Sequence, residues 1–451
     1  MIEGILRGLV GMGMILGIAL LFSRHRRSVR WALVSKGLLI QLVFGILVIK
    51  GEWLRSLWFP LGWPKYAFDF LSRGFVKVLA FTTEGARFIF GSLANSPGGT
   101  ESLGFFFAFQ VLPTIIFFAS LMSVLYYLGI MQRIVQGMAW VMVKILGTSG
   151  AESLSNTANI FVGQTEAPLM IRPFLKDLTE SELLTVMVGG LATIAGGVMA
   201  AYVQMLGFSY AELHGIPISE AQVRFAAQLL GASIMAAPAG MVISKILIPE
   251  TGSPLTLGHV HVPREKNASN LIDAAASGAS DGLKLALNIA AMLLAFIALI
   301  AMSNYLLGLL GRIGDLNGFL IATFGKPLSL ELLFGLVLQY VAYGIGFPWA
   351  ESFHVGSLLG TKLVLNEFVA YLDMSAMLKA GVLHSDKAIT MAAFALCGFA
   401  NFSSIAILMG GLGPLAPDRR KDISRLGLRA LLGGTLATLM TATIAGVLVS
   451  L

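Results

Sequence analysis

Two glutamates stand inside stretches of sequence that are otherwise apolar. Glu166 follows Gly163, Gln164 and Thr165 and precedes Ala167 and Pro168, while Glu351 follows Pro348, Trp349 and Ala350. An ionised carboxylate in hydrocarbon costs at least about 3 kcal/mol unless it is solvated or paired, so each acid implies a polar cavity, a coupling site or a hydrated turn at the interface. Gln164, Thr165 and Glu166 together offer an amide, a hydroxyl and a carboxylate, a set suited to the edge of a flat heterocycle. Glu351, with Asn401 and Ser404 three apart on one helical face, offers acceptors and donors suited to vicinal sugar hydroxyls. Phe399 either stacks on a ring or fills the core.

A second set of residues carries neutral oxygens. Asn159 and Thr193, with backbone carbonyls near Val162 and Ile194, could supply the several oxygen ligands that Na⁺ requires. Gly196, Gly197 and Gly398 either allow close helix packing or, clustered with Thr193 and Asn401, mark locally unwound helices that free carbonyls. An enzyme has less to stand on. Gly147-Thr148-Ser149-Gly150 matches a serine tetrapeptide of intramembrane proteases, with His354 the one near candidate for a base, so an intramembrane hydrolase is the rival from a different class. No HExxH motif, P-loop or pair of intramembrane aspartates accompanies it. The lone cysteine, Cys397, excludes an internal disulfide and a cysteine-based metal cluster.

These residues need elements that can hold them in a membrane. The 451 residues are 56% hydrophobic and only 12% charged, about half the charge of a soluble protein. Apolar runs of about 20 residues, each long enough for ~30 Å of hydrocarbon, predict an all-α polytopic fold with eight spans. They are Gly4–Phe22, Trp31–Ile49, Phe105–Ile130, Glu182–Val203, Ala221–Leu247, Leu285–Leu309, Ala388–Met409 and Leu426–Leu451. Gly51–Ser102 mixes aromatic and basic residues, a pattern of helices lying in the interface. The net charge of +7 reads as topology rather than as a nucleic-acid site. Arg24, Arg26, Arg27 and Arg30 place the first loop in the cytoplasm, as Arg264, Lys266 and Lys284 do for Pro249–Lys284 and Arg419, Arg420, Lys421 and Arg425 for the loop before the last span. Both termini then lie outside, with the chain in a cytoplasmic (inner) membrane.

Two apolar stretches are interrupted. Ala151–Leu175 is cut at Gly163–Pro168, leaving legs of about 12 residues, or ~18 Å, neither of which spans. The same plan is expected downstream, with Leu328–Phe347 and a leg to Tyr371 joined at Pro348–Ser352. Each hairpin follows an amphipathic segment, ending at Leu146-Gly147-Thr148-Ser149 in one case and Phe324-Gly325-Lys326-Pro327 in the other. With the span count, the two re-entrant hairpins have opposite orientation. Such an inverted repeat is the plan of a secondary transporter with its site near the midplane.

Gly163-Gln164-Thr165-Glu166-Ala167-Pro168-Leu169, with Ile171-Arg172-Pro173 after it, resembles the signature of the concentrative nucleoside transporters. Gly190–Gly196, Ala236-Ala237-Pro238, Glu351-Ser352, Asn366–Tyr371 and Gly398–Ser404 resemble further blocks of that family, in family order, over roughly Phe105 to the C-terminus. The resemblance implies a sodium-driven nucleoside symporter, not an enzyme, that forms a homotrimer and moves by an elevator mechanism. It implies that Gln164, Thr165 and Glu166 meet the nucleobase, that Glu351, Asn401 and Ser404 hold the ribose, and that Val198 and Phe399 line the pocket. It further implies Na⁺ ligands at Asn159, Val162, Thr193 and Ile194, with Val162 and Ile194 acting through carbonyls. Na⁺ is the coupling ion and no other cofactor is implied. Proton-coupled relatives depart around the Gln-Thr-Glu and Thr-Ile positions, and proton coupling is the close alternative. The expected organisation is scaffold 1–130, transport part 131–250, loop and scaffold span 251–310, and transport part 311–451.

Overall fold

The computed structural model describes residues 2–95, 103–259, 268–324 and 326–451, and among them every regular element is helical. Arg264 and Lys266, placed above in an inner loop, and Gly325 lie outside the described residues. Seven helices among the described residues are long and apolar enough to cross a bilayer. Each overlaps one of the eight expected spans, and the one at Glu182–Val203 falls in Glu180–His214, a stretch itself interrupted at Thr193–Ala195. The remaining one, Ala388–Met409, is divided into the helices Asp386–Leu396 and Phe402–Leu415, neither of which is long enough alone.

Two elements differ in extent from the expectation. The span expected at Leu285–Leu309 belongs to a 40-residue helix, Leu271–Leu310, about 60 Å long at the usual helical rise. Asn270 caps it by accepting from the Asp273 amide, so the helix starts well before the apolar run does. Within the aromatic and basic stretch, Trp63–Phe90 is one amphipathic helix that buries Phe68, Ser72, Leu79, Thr82 and Ala86, spaced by three to seven residues along one face.

One order of elements occurs twice. The first copy runs from the helix Ile130–Leu146 into a hairpin with legs Gly150–Ala158 and Ala167–Asp177, the second leg a 3₁₀ helix. A broken helix follows, Glu180–Ala192 and Gly196–His214, and then the long helix Ile218–Leu247. The second copy runs from Leu330–Gly344 into a hairpin with legs Trp349–Val364 and Glu367–Lys379, the broken helix Asp386–Leu396 and Phe402–Leu415, and the long helix Arg420–Ser450. Side-chain caps start the legs that matter. Ser149 and Thr179 each form a capping box with the glutamate three residues on, Glu152 and Glu182. Asn366, Ser385 and Asn401 cap their helices in the second copy. Each cap contributes about 1 kcal/mol and fixes where the chain leaves helical geometry.

The second hairpin therefore lies one helix later than the sequence suggested. Leu330–Gly344 and Trp349–Val364 do meet at a 119° bend around Pro348, but that bend opens the first leg and is not the tip. The tip is Leu365-Asn366, within the stretch expected as one unbroken leg to Tyr371. The internal match shifts with it. The match is between Ala151-Glu152-Ser153 at the start of the first hairpin and Ala350-Glu351-Ser352 at the start of the second, and not between the segments around Gly147 and Lys326.

The two broken helices cross at their breaks. Thr193–Ala195 and Cys397–Asn401 are non-helical, so Gly196 and Gly197 begin a helix and only Gly398 lies inside a break. The Phe399 amide donates to the Thr193 carbonyl at 3.3 Å. A Cβ on Gly398 would lie 2.9 Å from the Leu191 and Ala192 carbonyl oxygens, which is why only glycine fits this crossing. A separate pair forms an outer wall: Leu112–Tyr127 packs on Leu271–Leu310, where a Cβ on Gly282 would lie 2.8 Å from the Ala119 Cβ and the Ile116 Cα.

Candidate functional site

The first hairpin's turn, the second hairpin's tip, the start of Gly196–His214 and the break before Phe402 enclose a cavity of about 760 Å³. Leu112–Tyr127 and Leu271–Leu310 form its far wall. The volume suits a ligand of a few hundred daltons. Of the expected substrate residues, Gln164, Thr165, Glu166, Val198, Phe399, Asn401 and Ser404 all line this cavity. Glu351 does not.

The polar groups are held in two clusters. Gln164 is buried, with its Nε2 3.5 Å from Ser404 Oγ and its Oε1 without a partner. An orphaned buried carbonyl costs about 1–3 kcal/mol, which a donor on a bound ligand would offset. Thr165 donates to Glu166 Oε1 at 2.9 Å, and Glu166 itself is exposed to the cavity. On the other side, Asn401 accepts from the Ser404 amide at 2.8 Å and from Ser403 Oγ at 2.7 Å, as the cap of its helix. That leaves the Asn401 amide nitrogen free to donate, at 3.3 Å, to Glu367 Oε2.

Glu367 is the residue that sequence reasoning missed. It is 5% exposed, lines the cavity from the second hairpin's tip and accepts from the Tyr202 hydroxyl at 2.9 Å through its other oxygen. Tyr202 in turn packs on Tyr371 with ring centroids 4.4 Å apart. The signal was present in the Ala-Glu-Ser repeat: Glu166 stands fourteen residues after Glu152, and Glu367 sixteen after Glu351. Aligning the two hairpins places a glutamate at each tip.

Glu351 plays the other part. Its carboxylate accepts from the His384 amide at 2.9 Å and the Ser385 amide at 3.0 Å, and the Ser385 hydroxyl donates to its second oxygen. These bonds tie the start of the second hairpin to the N-terminus of Asp386–Leu396, where the helix dipole favours an anion. The carboxylate is cancelled inside the protein and is not available to a ligand. The first repeat has an analogous brace, in which Glu152 pairs with Lys245 at 2.7 Å and Ser149 Oγ donates to Glu182.

The segments that carry the neutral oxygens are joined. Gly196 N donates to the Phe161 carbonyl at 3.1 Å, pinning the first hairpin's turn to the first break. Asn159 is fully buried, and its Oδ1 has no hydrogen-bond partner. Thr193 Oγ1 donates to the Gly189 carbonyl at 2.9 Å and keeps its lone pairs. The carbonyls of Val162 and Ile194, both outside regular helix, accept no backbone hydrogen bond among the described residues. Hard, neutral oxygens without a carboxylate suit a monovalent hard cation such as Na⁺. The hydrolase reading loses its nucleophile here: Ser149 is a helix cap whose hydroxyl is committed to Glu182, and His354 sits in the second hairpin's first leg.

Comparison with known proteins covers nearly the whole chain. Residues 10–93 match the family model for the Na⁺-dependent nucleoside transporter N-terminus, 108–209 that for nucleoside recognition, and 228–446 that for the Na⁺-dependent nucleoside transporter C-terminus. The chain is 45% identical to the "Uncharacterized transporter YutK" of Bacillus subtilis, over 99% of this chain and 100% of that one. It is 41% identical to the "Nucleoside permease NupC" of Helicobacter pylori, over 100% and 99% of the two chains. Among solved structures, CNTnw in an inward-facing substrate-bound state is 41% identical and superposes with a TM-score of 0.83, covering 100% of this chain and 99% of that one.

Proposed function

The chain belongs to the Na⁺-dependent nucleoside transporter family, and from that premise we propose that it is a symporter that brings nucleosides into the cell on a sodium gradient. The observation that carries this reading is the pairing of the polar cavity with an adjacent set of unsatisfied neutral oxygens, joined through the turn Val162–Glu166. Gln164, Thr165 and Glu166 meet the nucleobase edge. Glu367, Asn401 and Ser404 take the ribose hydroxyls, with Glu367 in the place the sequence assigned to Glu351. Val198 and Phe399 line the apolar part of the pocket.

Na⁺ binds to Asn159, Thr193 and the carbonyls of Val162 and Ile194. The ion neutralises oxygens that are costly when left bare, and so holds Val162 in place two residues before Gln164. Ion binding thereby orders the turn that reads the base, and nucleoside binds next. Only the loaded or the empty carrier then crosses. The two hairpins re-enter the membrane from opposite sides, 131–250 and 311–451 move together as an elevator against 1–130 and 251–310, and a homotrimer in the cytoplasmic membrane holds the static parts. Both termini lie outside.

The energetics suffice. One charge moved through 100 mV supplies about 2.3 kcal/mol, and a tenfold Na⁺ gradient about 1.4 kcal/mol more, enough together for a nucleoside gradient of roughly a few hundredfold. The test is uptake of labelled uridine and adenosine into liposomes holding the purified full-length chain, with Na⁺ and pH gradients imposed separately. Accumulation that follows Na⁺ alone supports the reading. Accumulation that follows pH would make the carrier proton-coupled, and none above equilibrium would make it a passive pathway.

A further inference from the structure

The glutamates at the two hairpin tips line one cavity and are held differently. Glu166 is exposed and accepts from its chain neighbour Thr165. Glu367 is buried and takes one side-chain donor on each oxygen, the Tyr202 hydroxyl at 2.9 Å and Asn401 Nδ2 at 3.3 Å. A carboxylate rotates over a broad range about its last torsion unless its oxygens are held. One donor on each oxygen fixes the plane of the Glu367 carboxylate and leaves the remaining lone pairs for the cavity that the residue lines. Asn401 Nδ2 keeps its second hydrogen, so the pair presents acceptors with a donor beside them, the complement of a sugar hydroxyl.

Tyr202 is fully buried behind the cavity wall and does not line the cavity itself. It belongs to Gly196–His214 in the first repeat, so its bond to Glu367 joins one repeat to the hairpin tip of the other. Its ring centroid lies 4.4 Å from that of Tyr371 and 5.1 Å from that of Phe368, both on the leg that Glu367 begins. The Tyr371 hydroxyl is spent on the Ala393 carbonyl at 2.8 Å. This stack sets where the Tyr202 hydroxyl stands. The repeat supplies the comparison. Tyr202 is the seventh residue of its half-helix, and the seventh of the corresponding half-helix, Phe402–Leu415, is Leu408. A Cβ on Gly190 would lie 3.6 Å from Leu408 Cδ2 and 2.9 Å from Gln164 Cβ, so Leu408 stands near the first hairpin's turn as Tyr202 stands at the second's tip. A leucine brings no donor to Glu166.

We propose that Tyr202 is a positioning residue that fixes the Glu367 carboxylate and thereby makes the carrier select for a sugar bearing both vicinal hydroxyls. Nucleosides share their sugar and differ in their base. A rigid acceptor suits the constant part, and the unheld Glu166 suits the variable one. Without the Tyr202 hydroxyl, one oxygen of Glu367 loses its donor beside the rings of Phe368 and Tyr371, and the carboxylate turns away from the geometry that two adjacent hydroxyls require. The proposal rests on the placement of the ribose at Glu367 and adds to it what holds that acceptor in place.

The test measures equilibrium binding of labelled uridine to the purified full-length chain in saturating Na⁺, with unlabelled uridine and 2′,3′-dideoxyuridine as competitors. The unaltered chain is expected to prefer uridine by about a hundredfold, for two hydrogen bonds to a charged acceptor. Tyr202→Phe keeps the ring and its stacking, and is expected to cut that preference about tenfold, with most of the loss falling on uridine. Damage to the pocket as a whole weakens both ligands alike and leaves the ratio unmoved. Tyr371→Phe is the control: it removes a hydroxyl from the same stack that does not bond Glu367, and the wild-type ratio is expected. An unchanged ratio in Tyr202→Phe, or an equal fall in Tyr371→Phe, overturns the proposal. If Tyr202→Phe does not fold, Tyr202→Met, an adaptable apolar filler without a donor, is read in the same way. A wild-type chain that binds 2′,3′-dideoxyuridine as tightly as uridine would defeat the ribose reading itself, an outcome distinct from a preference that survives loss of the Tyr202 hydroxyl.

Discussion

Two glutamates with similar surroundings in sequence do opposite work, and the difference lies in what their oxygens already hold. Glu351 accepts two backbone amides and a hydroxyl, whereas Glu367 accepts from Tyr202 and Asn401 at the edge of the cavity. Glu367→Gln removes a charged acceptor from the proposed ribose site. Hydrogen bonds to a charged group contribute about 1.5–3 kcal/mol, so the Km for uridine is expected to rise roughly tenfold to a hundredfold. Glu351→Gln weakens the brace to Ser385 instead, and should lower the melting temperature of the purified protein with little change in Km. Uridine Km values across the two variants check this, and a larger rise for Glu351→Gln would reverse the assignment. At the proposed cation set, Thr193→Ala removes one proposed oxygen ligand and is expected to raise the half-saturating Na⁺ concentration by about tenfold, a loss of about 1.4 kcal/mol. Na⁺ dependence of uridine uptake decides it, and an unchanged value would remove Thr193 from the ion site.

The breaks in the helices are the elements that make the site, and they were unequally legible. Gly163-Gln164-Thr165-Glu166 interrupts an apolar stretch with four polar or small residues, so the first hairpin announces itself. In the second, Pro348 is the louder breaker and drew the expected tip to itself, while the actual tip, Leu365-Asn366, is written only in a cap residue between two apolar legs. Asn366 and Asn401 both read as ordinary polar residues until their oxygens are seen accepting from amides three residues on. Most of the long helices, and Gln164, Thr165, Glu166, Val198, Phe399, Asn401 and Ser404 among the residues that line the cavity, followed from hydropathy and motif because both are local signals. The tip, the brace and Glu367 depend on pairing between the two repeats, which no single window of sequence contains. The crossing of the breaks is the element most sensitive to change. Gly398→Ala would set a methyl group 2.9 Å from two backbone carbonyl oxygens, and backbone cannot rotate away as a side chain can. Overpacking of this kind costs about 1–3 kcal/mol. The expected result is a lower melting temperature together with loss of uridine binding, since Phe399 and Asn401 follow the displaced residue by one and three positions in the same break. Wild-type uridine affinity in a folded Gly398→Ala protein would show that the crossing does not position the pocket.

At the scale of the whole molecule, the cavity is shared between parts that the proposed mechanism requires to move past each other. Its far wall, Leu112–Tyr127, is locked to Leu271–Leu310 by glycine contacts and by the Ser120 hydroxyl donating to the Ala275 carbonyl at 2.8 Å. Its near wall includes Gly197, which begins the second half of the first broken helix. A Cβ built on Gly197 would stand 3.7 Å from the Phe118 Cβ, within the 3.5–4.5 Å that a disulfide accepts. The single native cysteine, Cys397, is buried, so replacing it with alanine gives a background in which one engineered pair can be read. In Cys397→Ala carrying Phe118→Cys and Gly197→Cys, oxidation joins the two walls in the observed arrangement. Sliding of one part along the other separates these positions by many ångströms, which a bond of about 2 Å does not permit. Uptake of uridine should therefore fall to background on oxidation and return on reduction with dithiothreitol, the reduced protein serving as its own control for damage to the pocket. Local gating by the hairpins alone leaves Phe118 and Gly197 in contact throughout the cycle. Full uptake by the oxidised protein, with crosslinking verified by mass, would then assign alternating access to the hairpins and not to an elevator.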